Sequence, residues 1–114
     1  MKMIIAVVKP AVTEAVIDAL TDTGISGLMV SEVRGYGRQK GHTEIYRSAE
    51  YEVTLVPKVR FEIAVDDSLV DVVVDTIARV AHTGRIGDGK VFVLDLLSAL
   101  RIRTGEKDSD AVAA

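Results

Sequence analysis

The sequence predicts one α+β domain in which the order strand, helix, strand occurs twice. The chain has 114 residues, which is the usual size of a single domain. Its apolar residues recur every second position in some segments and every third or fourth position in others, the periods of strands and of amphipathic helices. The dipeptide Thr23-Gly24 after the first helical segment recurs as Thr83-Gly84 after the second, which indicates an internal duplication.

The first half begins with a strand and continues into a helix. Residues 3–8 are continuously apolar and rich in Ile and Val, which is typical of a strand covered on both faces. Pro10 suits the first turn of a helix, and the apolar residues that follow keep helical spacing as far as Thr23. Gly24 is the expected left-handed cap of this helix, and residues 27–36 are the second predicted strand.

The second half repeats this order. The segment 58–65 alternates between apolar and polar side chains and is the clearest strand of the sequence. Its predicted buried face consists of Val59, Phe61, Ile63 and Val65. Side-chain oxygens at 66–68 can cap a helix whose apolar stripe covers 69–81. Gly84 is expected to end that helix, and residues 91–97 are the last predicted strand.

Two such halves match the split βαβ, ferredoxin-like fold, an antiparallel sheet with both helices on one face. The other sheet face is then uncovered, and self-association through it into a small homo-oligomer is expected. Since one subunit of this size does not form a deep private cleft, a sizeable ligand site is expected to need a second subunit. Residues 107–114 are acidic and rich in small side chains, and we expect them to form a flexible tail.

The composition disfavours nucleic-acid binding and excludes chemistry that needs cysteine. The formal charge of −3 has the wrong sign for a protein whose main partner is nucleic acid, and three Tyr and two Phe with no Trp leave few platforms for RNA stacking. The absence of cysteine excludes disulfides, thiolate metal sites and a cysteine nucleophile. The first apolar run ends at Lys9, well before secretory or membrane-spanning length, so a cytoplasmic protein is expected.

A long segment, 37–55, joins the second and third predicted strands without a periodic pattern. Loops of that length are uncommon in compact domains and usually have a function. Gly35, Gly37 and Gly41 allow close backbone approach at its base. Polar side chains then follow in quick succession: Arg38, Gln39, Lys40 and His42. A longer hairpin with solvated charges is the alternative interpretation.

A glycine-rich turn, Gly84-Arg-Ile-Gly-Asp-Gly-Lys90, leads from the second helix into the last strand. Its letters fit G-x-x-x-x-G-K, but Val91 stands where Ser or Thr would hold magnesium, and a phosphate loop runs from strand to helix. A P-loop enzyme is therefore excluded. Glycine amides can still form an anion-binding nest, to which Lys90 adds a positive charge. A role in turning the chain alone is the alternative.

Three further sets of side chains invite a functional interpretation. Extended backbone would place Arg101 and Arg103 on one side, where two guanidinium groups suit phosphate oxygens. A solvated, charged edge is the alternative. Lys58 opens the clearest strand, directly after the long loop. His42 and His82 lack the neighbours that mark nucleophilic or metal catalysis and are interpreted as structural or exposed.

Together these motifs resemble the PII nitrogen-regulatory signal-transduction family over residues 1 to about 107. The resemblance is carried by GYGRQKGHTE at 35–44, AEY at 49–51, PKV at 57–59, TGRIGDGK at 83–90 and RIRTGE at 101–106. It implies a non-enzymatic homotrimer that binds ATP or ADP competitively between neighbouring subunits, and 2-oxoglutarate together with Mg-ATP. Its partners would be an ammonium transporter, a nucleotidyltransferase or a nitrogen regulator, with membrane contact only through the transporter.

The resemblance also implies which residues bind each effector. The nucleotide would contact Gly35, Gly37, Arg38, Gln39, Glu62, Ala64, Gly87, Asp88, Gly89, Lys90, Arg101 and Arg103. The acid 2-oxoglutarate would contact Gln39, Lys40, Gly41, Lys58 and Gly87, and Gln39 would hold Mg²⁺ with the ATP phosphates. Tyr51 matches the family's site of uridylylation or adenylylation.

Three positions depart from the family's pattern. Met29 stands where a threonine often contacts the base and has no hydroxyl to donate, and Ala64 is smaller than the frequent valine. Ala49 replaces a serine that is phosphorylated in some relatives.

A small phosphate-processing enzyme of the same fold is the alternative function, although the sequence shows no evident base or nucleophile for it.

Overall fold

The computed structural model describes residues 1–37 and 55–114. In this part of the chain the main elements, in order, are β1 (Lys2–Val8), α1 (Thr13–Leu20), β2 (Met29–Gly35), β3 (Val56–Val65), α2 (Val70–Ala81), β4 (Lys90–Asp95) and α3 (Ser109–Val112). Short 3₁₀ turns at Pro10–Val12 and Asp67–Leu69 lead into α1 and α2. The long segment 37–55 of the sequence therefore lies almost entirely outside the described residues.

Four described strands form one sheet in the order β2-β3-β1-β4, and all neighbours are antiparallel. The central pair β1 and β3 is in continuous register, from Lys2 opposite Val65 to Val8 opposite Val59. Along the chain α1 connects β1 to β2, and α2 connects β3 to β4. This is the α+β, ferredoxin-like arrangement that the duplicated pattern predicts. The fold prediction is confirmed.

Both helices pack on one face of the sheet and enclose the core. The alternation in β3 places its apolar side chains inward, as predicted, and Phe61 and Ile63 are fully buried. From the helices, Val16 and Leu20 of α1 and Ile77 of α2 complete this layer. The core depends on period two in the strands and on three-to-four-residue spacing in the helices.

The helices begin and end slightly inside their predicted bounds. At the start of the α2 region, the carboxylate of Asp66 accepts the backbone N–H of Ser68 at 3.2 Å, the expected N-terminal cap. The first helix, α1, ends at Leu20, because the Thr23 hydroxyl donates to the Leu20 carbonyl at 2.6 Å and turns the chain there. Gly24 has a positive φ of +95° but lies four residues beyond the helix, whose C-cap is Thr21, so the prediction that Gly24 caps this helix is wrong.

The C-terminal residues differ from the flexible tail that composition suggests. Residues Ser109–Val112 form the short helix α3, and Val112 is only 7% exposed. The Arg101 guanidinium donates to the carbonyls of Ala111 at 3.1 Å and Ala113 at 3.0 Å. A side chain that lies ten residues earlier thus holds this segment in place.

The segment around Arg101 and Arg103 is also not the predicted extended strand. It turns back on itself, because the Gly105 N–H donates to the Arg101 carbonyl at 2.7 Å and the Arg101 N–H to that of Glu106 at 2.8 Å. Gly105 has a φ of +77°, which a residue without Cβ adopts readily. Gly105 therefore turns the chain where the sequence predicted extended backbone.

The second face of the sheet has no covering helix in the described residues. Register places Ile5 beside Phe92 and Glu62 on this face, and Met29 and Leu94 lie on it with 60% and 46% of their surfaces exposed. Within the same ranges, no helix is long and apolar enough to cross a membrane.

Candidate functional site

A cleft of about 710 Å³ opens where the ends of β1 and β2 lie beside the starts of β3 and β4. The glycine-rich turn between α2 and β4 forms one wall. The described residues that line the cleft are Val7, Gly35, Tyr36, Gly37, Lys58, Arg85, Ile86, Gly87, Asp88, Gly89, Lys90 and Phe92. Three of these side chains are basic and one is acidic, so the cleft is locally cationic in a chain of negative net charge.

The glycine-rich turn depends on backbone that other residues do not adopt easily. Gly84, Gly87 and Gly89 have φ values of +85°, +99° and +102°, which are unfavourable for residues with a Cβ. Gly89 is also in close contact with β1, because a Cβ built on it would lie 1.7 Å from the Val7 carbonyl oxygen. The turn is thus seated directly on the sheet.

The side chain of Asp88 closes this turn on itself. Its carboxylate accepts the backbone N–H groups of Thr83 at 2.8 Å and Gly84 at 2.9 Å, and the Thr83 hydroxyl at 2.5 Å. These bonds favour the ionised form and hold the pKa of Asp88 well below its usual range. The carboxylate therefore serves as a structural acceptor in the turn.

Two lysines attach the turn to the sheet. Lys9, which follows β1, donates through Nζ to the Thr83 hydroxyl at 3.1 Å and lies 3.1 Å from Oδ1 of Asp88. Lys58 of β3 donates through Nζ to the Gly87 carbonyl at 2.5 Å. Burial lowers the pKa of Lys58, repulsion from Lys9 lowers it further, and Asp88 partly compensates by raising it.

The structure brings most of the described candidate residues together. Seven of them line the cleft: Gly35, Gly37, Lys58, Gly87, Asp88, Gly89 and Lys90. The remaining candidates of the long loop lie outside the described residues: Arg38, Gln39, Lys40, Gly41 and the modification site Tyr51. The cleft thus unites the end of β2, the start of β3 and the glycine-rich turn, which are distant in sequence.

Four described candidates lie away from the cleft of their own chain. Glu62 and Ala64 are on the uncovered sheet face, where Glu62 lies opposite Ile5 and 3.6 Å from a guanidinium nitrogen of Arg60. Arg101 lies in the C-terminal turn, and its guanidinium lies 2.6 Å from Oε1 of Glu106. Arg103 is exposed in the same turn.

Sequence reasoning missed the two residues that hold Asp88. Thr83 had a signal, because a Thr-Gly pair five residues before an Asp permits a side chain to close the intervening turn. Lys9 had none, since it lies 74 residues from Thr83 in the sequence. Across residues 1–37 and 55–114, no group of three or more His, Asp or Glu side chains is placed to hold a metal ion, and His82 follows α2 in extended backbone.

Comparison with known proteins identifies the family. A family model described as "Nitrogen regulatory protein P-II" matches residues 1–106, which include every element from β1 to β4, the glycine-rich turn and both C-terminal arginines. The chain belongs to the P-II family.

Individual P-II proteins match over almost the whole length. The chain is 56% identical over 112 residues to "Nitrogen regulatory protein P-II 1" of Escherichia coli strain K12, an alignment that covers 98% of this chain and 100% of the relative. Relatives named "Nitrogen regulatory protein P-II" from Klebsiella oxytoca and Rhizobium etli are 56% and 57% identical over the same shares of both chains. The family expected from the ordered motifs is confirmed, and the relatives are named as nitrogen regulatory proteins.

Proposed function

We propose that this P-II protein is a nitrogen, carbon and energy signal transducer that binds ATP or ADP in the cleft and 2-oxoglutarate together with Mg-ATP. The observation that carries the proposal is the convergence of Gly87, Gly89 and Lys90 with Lys58 in one cationic cleft. Glycine-rich backbone with positive φ offers N–H groups to anions, and lysines add charge. This chemistry suits a polyphosphate.

The choice between ATP and ADP follows from charge. The γ-phosphate adds negative oxygens, and each charge-assisted hydrogen bond to it contributes about 1.5–3 kcal/mol before desolvation costs. In this proposal Lys90 and the turn hold phosphates, and Gln39 holds Mg²⁺ with them. Lys58 faces a carboxylate of 2-oxoglutarate, and the backbone around 37–41 closes over the acid.

The uncovered sheet face supports assembly into a homotrimer. Phe92 lines the cleft and also lies on this face beside Leu94, with 49% and 46% of their surfaces exposed. Contiguous exposed apolar side chains are typical of protein–protein interaction surfaces. In the proposed trimer the nucleotide lies between subunits, so that Arg101, Arg103, Glu62 and Ala64 contribute to the site through the interface.

Signalling would pass from the cleft to partner proteins through the loop 37–55. Ligands that draw Gln39 inward favour one loop shape, and ADP leaves others populated. A nearly complete shift between two shapes needs a differential affinity of about 5.5 kcal/mol, which a few phosphate and carboxylate contacts supply. Partners would be an ammonium transporter, a nucleotidyltransferase or a nitrogen regulator, and a nucleotide attached to Tyr51 would block their docking.

The cleft argues against the alternative of a phosphate-processing enzyme. Among its described lining residues the single carboxylate is Asp88, whose oxygens are engaged in the turn. With a pKa far below neutrality it is a poor general base. We therefore expect binding without turnover, and phosphate release far below the usual enzyme range of about 1 to 1000 per second.

Isothermal titration of the wild-type protein tests the proposal. ATP and ADP should compete for one site per protomer, 2-oxoglutarate should bind only with Mg-ATP, and sedimentation should give a trimer. Arg103→Ala should weaken ATP about tenfold, because it removes a charge-assisted contact, whereas Arg79→Ala on the exposed face of α2 should leave the affinity unchanged. Equal affinity in both variants would contradict the phosphate role of Arg103. Absence of ATP binding by the wild type would refute the function.

A pull-down from cell extract tests the signalling step. Capture on immobilised protein is compared in ADP and in Mg-ATP with 2-oxoglutarate, and the captured set should change between the two conditions. A Tyr51→Phe variant in parallel tests the modification, since it should no longer gain mass when incubated with extract and UTP or ATP. Identical captured sets in both conditions would contradict a ligand-operated switch.

A further inference from the structure

The glycine-rich turn is held from inside by Asp88 and from outside by Lys9. We propose that Lys9 is a positioning residue, which acts through Asp88 and Thr83 to keep the turn in the shape that receives the nucleotide phosphates. The inference rests on the proposed function, since it concerns how the same cleft is prepared for its ligand. It assigns a role to a side chain that does not itself line the cleft.

The two carboxylate oxygens of Asp88 have different partners. Oδ2 accepts the backbone N–H groups of Thr83 and Gly84, at 2.8 and 2.9 Å. Oδ1 accepts the Thr83 hydroxyl and pairs with the Lys9 ammonium at 3.1 Å. Lys9 therefore contacts both side chains that close the turn, and the same ammonium donates to the Thr83 hydroxyl at 3.1 Å.

Lys9 connects the glycine-rich turn to the sheet, because its backbone is fixed at the end of β1 and its side chain contacts the turn. It follows directly after Val8, which is 2% exposed and ends β1, and precedes Pro10, whose ring restricts φ. Its backbone is therefore fixed on both sides. The side chains of Lys9 and Asp88 are 26% and 23% exposed, so their contact is less screened by water than an ion pair on the open surface.

The residues that Lys9 holds are next to the residues proposed to bind phosphate. Asp88 lies between Gly87 and Gly89, which both line the cleft. These two glycines have positive φ values of +99° and +102°. Gly89 is seated on Val7, two residues before Lys9. If the carboxylate of Asp88 loses its outer partner, the peptide groups on both sides of it gain freedom, and ordering them again opposes ligand binding.

A direct attraction between the Lys9 charge and the phosphates is the competing explanation, and a double-mutant cycle separates the two. We measure ATP affinity for the wild type, Lys9→Met, Asp88→Asn and the double variant. Loss of the Lys9 contacts to Thr83 and Asp88 should raise the dissociation constant of Lys9→Met for ATP about 3- to 10-fold. If Lys9 acts through Asp88, adding Lys9→Met to Asp88→Asn should change the affinity less than twofold.

The controls use the other end of the same strand and the conservative replacement. Lys2 also has two carboxylate partners, Asp67 and Asp95, both remote from the cleft, so Lys2→Met removes equal charge and should leave ATP affinity unchanged. Lys9→Arg should restore most of the affinity, because a guanidinium can donate to both Thr83 and Asp88. Amide hydrogen exchange should accelerate at Gly84, Gly87 and Gly89 in Lys9→Met but not in Lys2→Met.

Each outcome decides the inference. Wild-type affinity in a folded Lys9→Met variant would overturn it. So would an equal loss of affinity on adding Lys9→Met to the wild type and to Asp88→Asn, which indicates direct attraction. Equal losses in Lys2→Met and Lys9→Met would also overturn it. A wild-type protein that binds no ATP would refute the proposed function itself, which distinguishes the two failures.

Discussion

Replacing Gly89 by alanine should remove much of the protein's stability, because this residue lies where backbone meets backbone. The new Cβ would lie 1.7 Å from the Val7 carbonyl oxygen and 2.8 Å from its carbon. Both partners are main chain, so neither can rotate away as a side chain would. To reach an ordinary contact, β1 and the turn must separate by more than about 1 Å, which disrupts their pairing.

The expected cost combines two terms. A φ of +102° disfavours a residue with a Cβ by about 1–2 kcal/mol. Weakening the hydrogen bonds where the end of β1 pairs with the start of β4, with Val7 opposite Lys90, adds about 2–3 kcal/mol. We therefore expect Gly89→Ala to lower the free energy of unfolding by about 3–5 kcal/mol, a large part of the stability of a domain of this size.

Urea unfolding followed by circular dichroism, at one fixed protomer concentration, measures this loss. Gly105→Ala is the matched control, because Gly105 also has a positive φ, +77°, but a Cβ there meets nothing within 4 Å. It should lose only the conformational term of about 1–2 kcal/mol. If Gly89→Ala loses no more stability than Gly105→Ala, the close approach to Val7 does not constrain the turn.

Two further predictions concern charged side chains that hold local structure: Asp88 in the glycine-rich turn and Arg101 beside the last helix. Because the native pKa of Asp88 is lowered, its contribution is fully present above the unfolded value of about 3.9 and is lost progressively as the pH falls from there through the lower native pKa. Asp88→Asn should therefore be less stable than wild type at pH 7, and the difference should shrink in unfolding experiments at pH 3; a constant difference would contradict the role of the charge. Arg101→Ala should free Ser109–Val112, seen as faster amide exchange in that helix alone, and unchanged exchange would show that Val112 packing suffices.

The elements with a strong local pattern were predictable from sequence. In β3 the strict alternation of side chains predicts both the strand and its buried face, because each successive residue points to the opposite side of the sheet. The strand β2 had a weak pattern, and the structure explains why. It lies at the edge of the sheet and has one neighbour, so most of its residues are exposed on both faces and little selection for alternation is expected.

The C-terminal region was predicted less well, for an equally physical reason. Small and acidic residues have low intrinsic tendency to order, and local composition therefore predicts a flexible tail. Order there comes from contacts that composition does not contain: the Arg101 guanidinium on the carbonyls of Ala111 and Ala113, and the Ser109 hydroxyl on the carboxylate of Asp66 at 3.1 Å.

The sequence by itself determined the α+β class, the core of β3, the glycine-rich turn as an anion-binding candidate and, through five ordered motifs, the P-II family. These follow from periodicity and from residue types whose conformational limits are local. Only the tertiary structure decided that Lys9, Lys58 and Gly89 fix this turn on the sheet, and that Arg101 holds the last helix. Such contacts join residues far apart in the chain. Sequence patterns are local, so they do not show which distant segments come into contact after folding.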